Sequence, residues 1–281
     1  MKSFGGNWTV KKIEMIVDYA KAYLTIMNKY PQFKTLYFDG FAGSGNITNE
    51  RKADRQTIKG GAIRILEIDV PKAFDMYYFV EMNEKDAEDL RSTVKTSFAS
   101  RNVHVVSEDC NKKLVSMAEF LQRDSCWRVL AFIDPYGMSL NWSSVEVLKG
   151  LGIDLWILVP TGIGVGRLLK GDGKISDIWL NRLERFLGIS RQEIMDKFYK
   201  RVSLQGLFDN ELVTLQVKEA NSITKIHNLY KERLSTVFKF VSDPFIMRNS
   251  KNSIMYHFMM ATNNAAAFNI SNDIVKPKYK L

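Results

Sequence analysis

The run Asp39-Gly40-Phe41-Ala42-Gly43-Ser44-Gly45 joins an acid to a string of small residues. Such a segment turns sharply and lets a ligand approach the backbone, and a helix starting beside it can direct main-chain N–H groups toward an anion. The lysine and hydroxyl spacing of a Walker A loop is absent, and the glycines do not follow the usual GxGxxG spacing. The anion can therefore be a carboxylate, such as the methionine end of S-adenosylmethionine, with Asp39 receiving its ammonium directly or through water. Taken alone, the motif also reads as a structural turn or a dinucleotide loop.

Two further acids narrow the choice. Glu81 ends the next predicted strand and can accept both hydroxyls of a ribose, while Asp109 ends the third and can accept an adenine amino group. Each alone reads equally well as a helix cap or a solvated acid. Acids at three successive strand ends beside a glycine turn point together to an adenosyl cofactor. Asp39, Gly40, Phe41, Ala42, Gly43, Gly45, Glu81 and Asp109 are the residues expected to hold it.

Asp134-Pro135-Tyr136-Gly137 follows the fourth predicted strand and reaches the same end of the sheet. An exocyclic base nitrogen is a poor nucleophile because its lone pair is delocalised into the ring. Asp134 and the Pro135 carbonyl can each accept a hydrogen bond from that NH₂, aligning the nitrogen with a methyl donor. Tyr136 can stack on a base taken out of its helix. The bland alternative is a strand end followed by a proline turn. Arg51, Lys52 and Arg55 lie in the loop after the glycine turn and, with Arg167 and Lys170 as secondary candidates, can reach phosphates, though the loop reads equally well as an exposed, solvated one. Gly162, Gly164 and Gly166 suit either a mobile cover over the substrate or a static connection.

These residues need a frame. Ile13, Val17, Ala20, Leu24 and Met27 recur at helical spacing over residues 10–30, ahead of short apolar runs at 36–38, 75–80, 102–106, 128–133 and 154–159. Helical stretches are predicted at 62–67, 84–94 and 111–122. Apolar strands separated by helices mark a mostly parallel sheet covered on both faces. Residues 162–235 then read as a helical insertion, with helices at 178–187, 192–199 and 223–234. Strands at 237–240 and 255–260 and a terminal helix after Ala265 complete the core. The expected divisions are 1–161, 162–235 and 236–281.

With 281 residues, 46% of them hydrophobic, the chain can bury a sizeable core. A net charge of +9, from 40 basic against 31 acidic residues, leans toward an anionic partner without requiring one. No apolar run reaches the length that crosses a bilayer, so a membrane role is not expected. Cys110 and Cys126 lack metal-ligand spacing and read as free thiols, which fits a reducing cytoplasm; no metal site is expected.

The glycine turn, Asp134-Pro135-Tyr136-Gly137 and the late segment Tyr256-His257-Phe258-Met259-Met260-Ala261-Thr262-Asn263 resemble the three-Cys-motif partner protein family. Trp8 with the helix after it, and Pro160-Thr161-Gly162, are similar to that family's N-terminal region and fifth-strand exit. The resemblance implies a class I methyltransferase fold: a Rossmann-like, mostly parallel seven-stranded sheet with helices on both faces and the insertion before the last two strands. It also implies association with a protein bearing the three-cysteine motif. Asp134-Pro135-Tyr136-Gly137 further resembles the Asp-Pro-Phe/Tyr-Gly motif of tRNA guanine N2-methyltransferases, and departs from the Asp-Pro-Pro-Tyr form common among adenine-N6 enzymes. The combined expectation is a methyltransferase acting on a base nitrogen in nucleic acid, with RNA slightly preferred. A recruitment protein with little catalysis and a small-molecule methyltransferase are the alternatives.

Overall fold

Alternation decides which face of the sheet each side chain joins. In the computed structural model, which describes residues 7–48, 57–205 and 212–279, the first strand, β1 (Lys34–Asp39), sends Leu36 and Phe38 to one face and Tyr37 to the other. All three are buried because both faces are covered.

Parallel pairing joins β1 to β2 (Met76–Val80), β2 to β3 (Val103–Val106), β1 to β4 (Trp127–Ile133) and β4 to β5 (Ile153–Val159). The outer edge begins as β6 (Phe240–Val241), breaks at Ser242–Pro244 and resumes as β7 (Phe245–Arg248). Both pieces pair antiparallel with β8 (Ile254–Thr262), which lies antiparallel to β5. Pro244 has no N–H for the ladder, which accounts for a break there. The order is thus β3-β2-β1-β4-β5-β8 with β6 and β7 sharing the last position. This is the class I methyltransferase-like arrangement, with seven strand positions.

One face is covered by α1 (Asn7–Met27), α2 (Gly61–Leu66), Leu90 of α3 (Glu84–Ser97) and the C-terminal helix Ala265–Tyr279. The other holds α4 (Cys110–Arg123), α5 (Trp142–Glu146), α6 (Asp177–Leu187), α7 (Arg191–Phe198) and α8 (Ser222–Val237).

Two sequence expectations need correction. Residues 162–235 are not wholly helical, because Tyr199–Gln205 and Leu212–Lys218 pair as an antiparallel hairpin. Val202, Leu204, Val213, Leu215 and Val217 supply alternating strand-favouring positions among polar residues. Val237 ends α8 rather than starting a strand; the strand begins at Phe240. No helix among the described residues is long and apolar enough to cross a membrane.

Candidate cofactor and acceptor site

Register brings the strand-end acids to one level. Asp39 stands opposite Phe79 of β2 and Phe132 of β4, so Glu81 and Asp134 follow two residues further along the flanking strands. The chain leaves β1 for β2 and β3, then returns to β4 on the other side of β1. The crevice between β1 and β4 is therefore the switch point of the sheet, where open α/β sheets bind ligands. A cavity of about 250 Å³ opens there, with Lys12, Asp39, Gly43, Gly61, Asp134 and Tyr136 in its wall. Two larger clefts, about 630 and 470 Å³, lie at the opposite ends of the strands, around Gly152 and Asn263. The acid lining the second, Asp154, is already held by the hydroxyls of Tyr19 at 2.7 Å and Thr262 at 2.5 Å. Among the described residues of the three cavities, acids with an oxygen that accepts no hydrogen bond meet in the smaller one.

The glycine turn is tied down by its own amides. Gly40 and Ala42 donate to the carbonyls of Phe132 and Val80, both at 3.0 Å. Phe41 donates to Asp39 Oδ1 at 3.1 Å and Gly43 to Glu81 Oε2 at 2.9 Å. Gly43 and Gly45 have φ of +62° and +79°, the left-handed region that suits glycine. A Cβ on Gly43 would project into open space, whereas one on Gly40 would lie 2.5 Å from Cys110 Sγ. The first glycine thus serves packing and the second leaves room on the ligand side.

No helix follows the turn directly. A hairpin, Asn46–Thr48 with Thr57–Lys59, comes first, favoured by the β-branched residues Ile47, Thr48, Thr57 and Ile58. It returns Gly60 beside Gly45, with a 2.8 Å bond from Gly60 N–H to the Gly45 carbonyl, and α2 starts at Gly61. Gly60, Gly61 and Ala62 consequently line the cavity that the sequence assigned to a helix starting at the turn itself.

Asp39 is 2% exposed, and its Oδ2 accepts no hydrogen bond from the described residues. Burial pushes its carboxyl up to about 7; the Phe41 N–H and the Lys12 charge oppose the shift, and Asp134 and Glu81 add to it. Glu81 and Asp109 stand outside the cavity wall. Glu81 braces the turn, one oxygen accepting from Gly43 and the other from Asn83 N–H at 2.9 Å. Asp109 caps α4, its Oδ1 accepting from Asn111 N–H at 2.7 Å and Asn111 Nδ2 at 2.9 Å.

At the end of β4, Asp134 Oδ2 accepts from the ammonium of Lys12, a residue buried on α1. Sequence reasoning missed Lys12. The signal was present: Lys12, Ile16, Tyr19 and Tyr23 share one face of α1 at spacings of four, seven and eleven, and all are buried. A lysine in a buried stripe needs an anionic partner. Beyond Asp134, Pro135 is buried and Tyr136 stands 70% exposed at the rim, its ring edge-on to Phe41 at 6.1 Å. Met82, also 70% exposed, follows the turn-bracing Glu81.

Pro160-Thr161-Gly162 leads from β5 into a π-helix over Thr161–Val165. A Cβ on Gly162 would lie 1.9 Å from the Ile254 carbonyl oxygen, and one on Gly166 would lie 2.8 Å from that of Thr161. These close backbone contacts at Gly162 and Gly166 favour the static alternative. Thr161 Oγ1 lies 2.7 Å from His257 Nδ1 beneath this turn. Arg167 is exposed just after it, and Tyr256 lies within electrostatic reach of both Arg167 and Asp134. The Lys170 ammonium sits 5.1 Å from the centre of the Trp179 ring. Arg51, Lys52 and Arg55 fall outside the described residues.

Neither a family model nor a curated protein matches the sequence. Among solved structures, Trm1 from Pyrococcus horikoshii in complex with S-adenosyl-L-methionine is similar at 11% identity and a TM-score of 0.38. That match covers 90% of this chain but only 64% of the length of Trm1. Protein LPL1258 of the DUF519 family, from Legionella pneumophila, is similar at 14% identity and a TM-score of 0.46, covering 93% and 99% of the two chains. Both TM-scores lie under 0.5, so the site's own geometry has to carry the function.

Proposed function

We propose that this protein is an S-adenosylmethionine-dependent methyltransferase acting on an exocyclic amino nitrogen of a nucleic-acid base, with RNA the preferred polymer. The observation that carries this reading is that Asp39 and Asp134 open into one cavity from adjacent strands at the switch point, under a glycine turn. The residues present fit the cofactor. Asp39 is a buried acid with one oxygen that accepts no hydrogen bond from the described residues, suited to an ammonium, and Gly43 leaves open space where any side chain would intrude.

When bound, S-adenosylmethionine supplies an electrophilic methyl carbon. The chain has to place an amino nitrogen in line with it. Asp134 keeps Oδ1 for one N–H, because Lys12 occupies only Oδ2, and the Pro135 carbonyl takes the second. Tyr136, exposed at the rim beside Phe41, offers its face to a flat ring. Holding the nitrogen by both hydrogens fixes its lone pair toward the donor, which is where positioning lowers the barrier.

The insertion supports catalysis over recruitment. Leu183, Phe186, Leu187, Ile194 and Phe198 are buried in the core, and of the segment's large apolar side chains only Ile178 and Val217 are exposed among the described residues. A three-Cys-motif partner is proposed from the sequence resemblance alone.

The test is labelled-methyl transfer from S-adenosylmethionine to separate RNA, DNA and metabolite pools, comparing wild type with Asp134→Ala and identifying the product base. Transfer to RNA that Asp134→Ala abolishes is the expected result. Cofactor binding without transfer to any pool would reject the enzyme reading, and transfer to metabolites alone would move the substrate class.

A further inference from the structure

Lys12 has a place in the site that the reading above leaves unexplained. It arrives from α1, outside the loops at the strand ends, is 5% exposed and lines the cavity. Its ammonium bonds to Asp134 Oδ2 and lies 5.8 Å from the centre of the Phe132 ring. An ammonium has three N–H donors. Among the described residues only Asp134 accepts from it, so two donors remain at the cavity wall. Asp134 is similarly half used, since among the described residues nothing donates to its Oδ1. The pair therefore presents an acceptor and a donor side by side.

We infer that Lys12 is a recognition residue, and that the acceptor is an amino group whose carbon also carries a ring nitrogen with a free lone pair. This inference rests on the methyltransferase reading. The amino N–H bonds to Asp134 Oδ1 and the neighbouring ring nitrogen accepts from Lys12. Such an N–C=N unit occurs in the amino-bearing bases, where the amine is neutral and flat. An aliphatic amine has no adjacent acceptor and, once protonated, is repelled by the buried ammonium. Lys12 also holds Asp134 at one oxygen, which orients the other. The single cation thus selects against other amines and aligns the accepted one.

The product base from the transfer assay identifies which oligonucleotide to make. Two versions are compared, one natural and one in which the ring nitrogen next to the amine is replaced by C–H. The wild type is expected to lose about tenfold to a hundredfold in kcat/KM on the second, the worth of a hydrogen bond to a charged group. Lys12→Met is expected to work poorly on both and to discriminate between them less than about threefold, while binding S-adenosylmethionine within a few-fold of wild type. Retained cofactor binding shows that the variant is folded. Lys12→Arg is expected to recover part of the discrimination, which a purely structural lysine would not provide.

Equal turnover of the two oligonucleotides by wild type overturns the inference whatever the variants do. So does Lys12→Met that discriminates as strongly as wild type. In either case the methyltransferase reading survives. Cofactor binding by wild type without transfer to any base overturns both.

Discussion

Asp39 combines burial with an unused oxygen, and this gives it a measurable pH signature. Its carboxyl is raised from 3.8 to about 7, mainly by burial. A raised carboxyl is ionised in the unfolded chain well before it is ionised in the folded one. Its stabilising contribution is therefore complete below about pH 4 and disappears as pH rises through about 7. In urea unfolding, wild type should lose roughly 2–4 kcal/mol relative to Asp39→Asn between pH 4 and pH 8. A constant difference between the two proteins would show that Asp39 is not a buried titrating acid. Cofactor binding should have the opposite slope, because the ammonium needs the ionised form. S-adenosylmethionine is expected to bind about tenfold more weakly at pH 6 than at pH 8 to wild type, and with little pH dependence to Asp39→Asn. Asp134 differs, since its partner lies within the protein. Asp134→Ala leaves the buried Lys12 ammonium unpaired and should lower stability by about 2 kcal/mol in the same assay. Isothermal titration should nevertheless find cofactor binding within a few-fold of wild type.

Elements were legible where one physical rule dominated. The strands at 34–39, 127–133 and 153–159 carry unbroken apolar runs at 36–38, 129–133 and 155–159 because helices cover both faces, and their polar exits follow from where such sheets end. Asp39 and Asp134 could be placed on that basis. Lys12 could not, because the apolar stripe of α1 was read through Ile13, Val17 and Ala20. The buried side is broader and includes Lys12 and Ile16. The paired strands at 199–205 and 212–218 are hard to read for a related reason: Lys200 interrupts the apolar side of the alternation that Val202 and Leu204 begin, and the pairing is a contact the local pattern does not encode. The glycines after β5 could be read either way until backbone distances were known. Those distances carry a prediction. In Gly162→Ala the new methyl would collide with the Ile254 carbonyl, an atom held by the β8 backbone. A loss of about 2–4 kcal/mol is expected on chemical unfolding. Gly171→Ala meets nothing within 4 Å and should stay within about 0.5 kcal/mol of wild type. Similar stability in the two variants would mean the π-helix can move away from β8, restoring the mobile reading of this connection.

At the scale of the molecule, the layered fold and the net charge act on different steps of the proposed reaction. The sheet and its helices build the cavity from one end of β1 and β4, and α1 adds a cation from the layer above. In the proposed reaction the charge of +9 would act before any base reaches that cavity, by attracting a polyanion. A flexible strand pays out condensed counterions wherever a basic side chain meets a phosphate, so the number of such contacts can be read from salt dependence. The sequence places Arg51, Lys52 and Arg55 within ten residues of Gly45, and Arg167 lies exposed after the β5 exit. If Arg51, Lys52 and Arg55 contact single-stranded RNA, replacing all three with alanine should flatten the slope of log K against log salt by about 2, at roughly 0.7 per contact. Affinity should fall at low salt and converge toward wild type at high salt, while cofactor affinity stays unchanged. Arg167→Ala should flatten the slope by about 0.7 alone, and by a similar increment when added to the triple variant if the two sites touch separate phosphates. An unchanged slope in the triple variant would remove that loop from the RNA path. An unchanged slope in every variant would leave the excess charge without a polyanion contact at these positions, and would shift the acceptor toward something small enough for the 250 Å³ cavity alone.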